Sequence, residues 1–452
     1  MMEYKKFFKN KKVTVVGLGL LGKRIGDISF LSLCGAEVTV TDLKTAKELA
    51  PSIKKLRKYK NIQYSLGGHK LKDFENKDFI LKGQGVPLDS PYIAHARKND
   101  ILIEMDESLF AKLAPGVKII GITGTRGKST TTILIYEILK KAGMRVHLGG
   151  NIRGTAALPL LKIVKPGDTV VFELSSWQLQ GFAEAKISPQ ISVFTNFMPD
   201  HMNYYDNDLK KYFTDKSYIY KFQKKGDVLV LGPSMPARLN ELSRSGGKGK
   251  LGGVKSKIIH TNVKNVPKSW RIQLKGAHNL ENITCAVEVA RILNISEKVI
   301  KKTVESFQAV SGRLELVKKV RGVEIYNDTN SCTPEATSVA LKAIGGKNTI
   351  LIMGGSDKNL DFKELFKDIH KYVKALVLIP GNGTDRVLPG LKKIKGVELY
   401  KERDLKFVVM RAYTLAKKGD VILFSPAFTS FGMFNNEYDR GDKFMKIVNN
   451  LK

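Results

Sequence analysis

The heptapeptide Gly124-Thr125-Arg126-Gly127-Lys128-Ser129-Thr130 lies between an apolar, β-branched run, KIIGITG (118–124), and a stretch of helical pattern that opens at Thr130. Backbone N–H groups in such a glycine turn converge on anionic oxygens, and the helix behind them adds the positive end of its dipole. Lys128 is then placed to reach the β and γ phosphates of a nucleotide, and the Ser129 hydroxyl to help hold Mg²⁺. The spacing predicts use of ATP. The strict form of the motif has glycine at position 122, where this chain has Ile122.

A second glycine turn, Gly17-Leu18-Gly19-Leu20-Leu21-Gly22, follows the strand-like VTVV, and Asp42 ends the next strand pattern. This is the dinucleotide fingerprint, with the acidic residue placed to accept from a ribose hydroxyl. Alone it predicts an NAD-linked oxidoreductase and tight NAD binding. A nucleotide-diphosphate substrate uses the same turn, and the coexistence of a phosphoryl-donor loop favours that use. Further along, FELSSWQL (172–179) delivers Glu173 to a strand end beside the phosphate loop's own strand, a natural position for a Mg²⁺ ligand. ISVFTNFMPDHMNYY (191–205) likewise ends a strand and presents Asn196, Asp200 and His201. A histidine in that position is as often a hydrogen-bonded surface residue as a ligand. For Asp328, capping of a following turn competes with a ligand role, and Lys358 in a lysine-rich chain reads equally as a solvated side chain.

These residues need elements to hold them. Apolar runs without alternation recur at VTVVG (13–17), EVTVTD (37–42), KIIGITG (118–124), TVVFELSS (169–176), ISVFTN (191–196), VEIYND (323–328), NTILIMGG (348–355), KALVLIPG (374–381) and DVILFSPA (420–427). Each is followed by a polar or glycine turn and then helical pattern, which predicts α/β domains with mostly parallel sheets buried on both faces. Pro115-Gly116 and Ser311-Gly312 punctuate the chain, giving three expected domains: 1–106 and 312–452, both Rossmann-like, and a central P-loop ATPase domain, 107–311, with Gly/Lys-rich 244–257 as an exposed loop.

The 452 residues exceed one hydrophobic core. No apolar run long enough to span a membrane and no apolar signal core is apparent, so a cytoplasmic protein is expected. Cys34, Cys285 and Cys332 show neither metal spacing nor a disulfide framework, and read as buried or lining residues. The net charge of +33 keeps a nucleic-acid-stimulated ATPase in view, but its lysines are scattered and no aromatic-basic motif accompanies them, so no dedicated nucleic-acid partner is expected.

Taken in order, GLGLLG, the P-loop, GGN (149–151), ELSSWQLQ, DHMNYY followed by Lys216, GAHNLEN and SPAFTSFGMF…DRG resemble the Mur ligase family over nearly the whole chain, and most closely its glutamate-adding branch. The resemblance implies an ADP-forming amide ligase of peptidoglycan precursor synthesis. It would activate the carboxylate of UDP-N-acetylmuramoyl-L-alanine as an acyl phosphate and add glutamate, D-glutamate in most of that branch and L-glutamate or another amino acid in relatives. It also implies roles residue by residue. Gly124 to Thr130, Asn279, Asn282, Arg313 and Asp328 match ATP contacts. Gly17 to Leu20, Asp42 and Asn151 match contacts to the UDP-substrate, and Lys358 and Ser430 match the glutamate pocket. Lys128, Glu173, His201 and Lys216 match the catalytic set; Ser129 and Glu173 would hold one Mg²⁺, His201 and Lys216 a second. In the family that lysine carries a CO₂-derived carbamate, although Lys216, among Lys210, Lys211 and Lys221, reads by itself as a solvated face. A monomer acting on small molecules is expected. Four departures stand out: Arg126 for a frequent asparagine, Cys332 for threonine, Asn330 for lysine, and GQGVP (83–87) for Ser-Pro-Gly. A fifth is Glu437-Tyr438, where an aromatic residue usually precedes an acid.

Overall fold

The computed structural model describes residues 3–20, 22–235, 254–430 and 432–452. The expected loop at 244–257 therefore lies mostly outside the described residues. Three sheets organise the rest. The first, in the order β3-β2-β1-β4-β5, is built from β1 (Lys12–Val16), β2 (Glu37–Asp42), β3 (Ile62–Leu66), β4 (Phe79–Lys82) and β5 (Leu102–Glu104). The second has the order β11-β10-β9-β6-β8-β7, from β6 (Lys118–Thr123), β7 (Val146–Gly150), β8 (Thr169–Glu173), β9 (Ile191–Phe194), β10 (Val228–Leu231) and β11 (Lys257–His260). The third, β12-β13-β17-β14-β15-β16, comprises β12 (Glu315–Val320), β13 (Val323–Asn327), β14 (Thr349–Gly354), β15 (Val373–Ile379), β16 (Glu398–Lys401) and β17 (Val421–Phe424). Every pairing is parallel except β12 with β13.

The central strands are buried along their length, β8 and β14 at every residue, because helices cover both faces. Two compact units result: Met1–Lys268 with Glu281–Val304, which holds the first two sheets, and Ser269–Leu280 with Glu305–Lys452, which holds the third. Within the first unit a buried polar cluster joins the helix Lys23–Leu33 to the helices Asp106–Leu113 and Ser176–Ala185. Lys23 Nζ lies 3.0 Å from Asp106 Oδ2 and pairs with Glu107, and Gln178 Nε2 donates to Glu107 Oε1 at 2.5 Å. Burial drives the Glu107 carboxyl up, to about 8, with the Asp106 charge adding to it.

The three cysteines form no disulfide; Cys34 and Cys285 are buried and Cys332 half-buried. Among the described residues no helix is long and apolar enough to cross a membrane.

Candidate active site

In the second sheet β6 lies between β8 and β9, so the loop leaving β6 is flanked by the ends of both neighbours. Gly127 caps the helix Lys128–Lys141 at φ +81, and a Cβ there would overlap the Asn282 carboxamide. Only glycine fits that turn against Asn282. The loop is held from the β9 side: Thr125 N donates to Asn196 O at 3.0 Å, Arg126 N to Asn196 Oδ1 at 2.8 Å, and Thr195 Oγ1 to Arg126 O at 2.6 Å. Lys128 folds back over the loop, donating to Gly124 O at 3.0 Å and Thr125 O at 3.1 Å.

On the β8 side Glu173, fully buried, accepts from Ser129 Oγ at 2.5 Å and from Asn151 Nδ2 at 3.1 Å. Asn151 comes this close because Gly150, at φ +86, turns directly against the Glu173 backbone, where a side chain would overlap. The GGN motif is thus a means of bringing an amide onto the carboxylate.

Lys216 lies inside the fold, where its lysine-rich surroundings alone read as a solvated face. The helix Leu209–Ser217 buries Tyr212 and Lys216 one turn apart, and Lys216 Nζ donates to Gly124 O at 2.9 Å with the Tyr212 ring centroid 4.7 Å away. Burial, seconded by the Lys128 and Arg126 cations, pushes its pKa well below the ordinary lysine value, against an opposing pull from Asp200 and Asp215. Its neighbour Asp215 is pushed up by burial, although Gln180 Nε2 (2.7 Å) and Tyr205 OH (3.0 Å) donate to it. The expected solvated face is corrected: the lysine belongs to the phosphate loop's interior.

His201 follows in a left-handed turn, φ 55, with its ring 4.6 Å from that of Trp177 and Nε2 3.7 Å from Asp200 Oδ2. Asp200 in turn accepts from Arg126 Nη1 at 2.8 Å. Burial raises the Asp200 carboxyl, but Arg126, His201 and Lys128 together hold it below the usual carboxylate value. Among the described residues no three His, Cys, Asp or Glu side chains form a ready-made cage for a metal. A hydroxyl and one buried carboxylate suit Mg²⁺, which keeps waters and takes the rest of its shell from phosphates.

In the first sheet Asp42 does something the fingerprint did not foretell. Its Oδ2 accepts from Leu18 N at 2.7 Å and Gly19 N at 3.2 Å, and Oδ1 from Lys44 N at 2.9 Å, so the carboxylate braces the glycine turn itself. Gly17 and Gly19 take positive φ there, and Leu20 is exposed beside them.

Asn279 and Asn282 sit one turn apart on the helix Ala277–Ile292, both buried; Asn279 Nδ2 donates to Lys275 O at 2.8 Å. In the second unit Asp328 is buried, accepting from Leu314 N at 2.9 Å and Ser425 Oγ at 2.8 Å, with half-buried Arg313 nearby. Burial raises its carboxyl to about 6. Lys358, exposed, and Ser430, buried, lie on two loops clamped by the Ser356–Thr429 bridge. Behind them is a side chain the motif reading passed over. Fully buried Arg440 donates to Thr329 Oγ1 (3.2 Å), Thr329 O (2.8 Å), Phe428 O (3.1 Å) and Cys332 Sγ (3.3 Å). The DRG triplet near the chain's end was its signal.

A P-loop on a parallel sheet, backed by a buried carboxylate and a buried lysine, defines a nucleotide-using enzyme that handles phosphoryl groups. Comparison with known proteins narrows the class. Three family profiles match in sequence order: the MurD-like N-terminal domain (residues 11–104), the Mur ligase middle domain (122–290) and the Mur ligase glutamate ligase domain (312–428). A UDP-N-acetylmuramoylalanine--D-glutamate ligase of Roseiflexus sp. is 34% identical over 97% of this chain and 98% of its own length. One from Borreliella afzelii is 35% identical over 98% of each. Among solved structures, a UDP-N-acetylmuramate-alanine ligase of Thermotoga maritima aligns with a TM-score of 0.60 at 17% identity, covering 98% of this chain and 100% of that one, which shows a shared fold. The chain belongs to the Mur ligase family. It is an ATP-dependent, ADP-forming ligase of peptidoglycan precursor synthesis, which sets aside the oxidoreductase reading of the first glycine turn.

Proposed function

We propose that the enzyme joins D-glutamate to UDP-N-acetylmuramoyl-L-alanine. The name shared by the relatives, aligned across 97–98% of the chain, supports this choice of substrates. The observation that carries the chemistry is the buried Lys216 amine bonded to Gly124 O of the phosphate loop.

ATP's γ-phosphoryl passes to a carboxylate oxygen of the UDP-substrate, breaking the bond to ADP and forming an acyl phosphate. The amine of glutamate then attacks the acyl carbon; the C–N bond forms, phosphate leaves and the amine loses a proton. Gly124 to Thr130 cradle the phosphates, and Lys128 exchanges its loop carbonyls for phosphate oxygens. Asn279, Asn282, Arg313 and Asp328 bind the rest of the nucleotide. Gly17 to Leu20, Asp42 and Asn151 hold the UDP-substrate, and Lys358 and Ser430 the glutamate carboxylates.

Two Mg²⁺ ions, when bound, neutralise phosphate charge; Ser129 and Glu173 would hold one, His201 and carbamylated Lys216 the other. The environment of Lys216 suits carbamylation. A neutral amine attacks CO₂, forming an N–C bond and releasing a proton, and the Lys128 and Arg126 cations that disfavour an ammonium there favour the resulting anion. A cytoplasmic monomer with domain limits near 106 and 311 completes the reading.

The test is phosphate release with UDP-N-acetylmuramoyl-L-alanine and a panel of D- and L-amino acids. D-glutamate alone is expected to support turnover. Response to L-glutamate or a different amino acid instead would overturn the specificity.

A further inference from the structure

The loop 83–87 leaves β4 next to the Gly17–Gly22 turn, since β4 pairs with β1 through Val16 and Lys82. Strand order reverses between these two strands, which is the crevice where open parallel sheets take ligands. Here the chain reads GQGVP. The loop is secured from beneath: Lys82, fully buried, donates to Val86 O at 2.7 Å and Gly83 O at 3.3 Å.

From that loop the Gln84 carboxamide reaches toward the phosphate loop. Its Nε2 donates to Asn151 Oδ1 at 3.4 Å, and its Oε1 accepts from Ser175 Oγ at 3.3 Å. Asn151 Nδ2 donates onward to Glu173 Oε1 at 3.1 Å, and Ser129 Oγ donates to Glu173 Oε2 at 2.5 Å. The carboxylate fixes the polarity of the whole chain of bonds. It can only accept, so Asn151 must turn its NH₂ toward it and its oxygen toward Gln84, which must then present its own NH₂.

We infer that Gln84 is a positioning residue that ties the nucleotide-sugar loop to the metal-binding carboxylate Glu173, so that each substrate strengthens binding of the other. The inference rests on the substrate reading given above. By linkage, the two substrates must strengthen one another by the same factor.

The experiment is titration calorimetry on the full chain, measuring Mg²⁺ with a non-hydrolysable ATP analogue, with and without saturating UDP-N-acetylmuramoyl-L-alanine. Wild type is expected to bind the analogue several-fold more tightly when the UDP-substrate is present. Gln84→Met, of similar length but without polar atoms, should bring that ratio to within twofold of one while each Kd measured alone moves less. Gln84→Glu, which keeps an acceptor for Ser175 but loses the donor to Asn151, should also lose the enhancement. A merely structural role would weaken both ligands and leave the ratio standing. An unchanged ratio in Gln84→Met, or a wild-type ratio of one, overturns the inference and leaves the substrate reading intact. Failure of the UDP-substrate to bind wild type overturns both.

Discussion

Lys216 Nζ donates to Gly124 O at 2.9 Å, so the helix Leu209–Ser217 and the phosphate loop meet through a buried amine. Desolvating an ammonium is costly, and two neighbouring cations add to the cost. The arrangement makes sense once the nitrogen is neutral or converted to an anion, and then the same cations become its partners.

Replacing Lys216 by Ala should therefore abolish turnover, by roughly 10²–10³-fold or more for loss of one electrostatic element of a transition-state site. Short carboxylic acids added to the variant should restore part of the rate, since they supply the missing anion. Phosphate release measured with and without acetate checks this, and near-wild-type activity would remove Lys216 from the site.

Glu173→Gln keeps the size and one of the two acceptor oxygens that Ser129 and Asn151 use, while removing the charge. The variant should fold normally and need a higher Mg²⁺ concentration for half-maximal rate, with kcat down by roughly 10²-fold. An unchanged Mg²⁺ dependence would place the ion elsewhere.

The central strands were legible because continuous apolar runs of their length read as strands buried on both faces, and Gly124 to Ser129 because of its glycine and lysine spacing. Edge strands were not: β11 (KIIH), β16 (ELYK) and β12 (ELVKKV) mix exposed with partly buried positions, so their patterns resemble any surface segment. Lys216 was hidden by its lysine-rich surroundings; the available signal was its i,i+4 spacing from Tyr212, which puts both on one helix face. Asp42 was visible as an acid at a strand end, but its bonds to Leu18 N and Gly19 N depend on a turn geometry that spacing does not encode.

Asp328 offers a test by pH. Its folded-state pKa, about 6, lies above the ordinary 3.8, so between those values the folded chain binds the proton more tightly than the unfolded chain. Its protonated form favours folding below pH 3.8, and that contribution is lost as pH rises through about 6. Asp328→Asn should thus be more stable than wild type at pH 8, by up to about 3 kcal/mol, with the gap closing toward pH 4. Denaturant midpoints at the two pH values read this. The KM for ATP should rise in the same variant if the carboxylate binds the nucleotide.

Arg440 carries the last prediction. Its guanidinium joins Thr329, Phe428 and Cys332, and thereby ties the turn after β13 to the turn after β17. Lysine has one charged nitrogen and cannot span these acceptors as a planar fork does. Arg440→Lys should leave at least one buried carbonyl unpaired and cost about 1–3 kcal/mol. Because the two turns carry Cys332 and Ser430, the loss should fall on the amino-acid substrate: the KM for glutamate should rise several-fold more than the KM for ATP. Arg440→Met, which removes the buried charge together with its bonds, should raise the glutamate KM at least as much. Equal effects on both KM values would assign Arg440 to general stability alone.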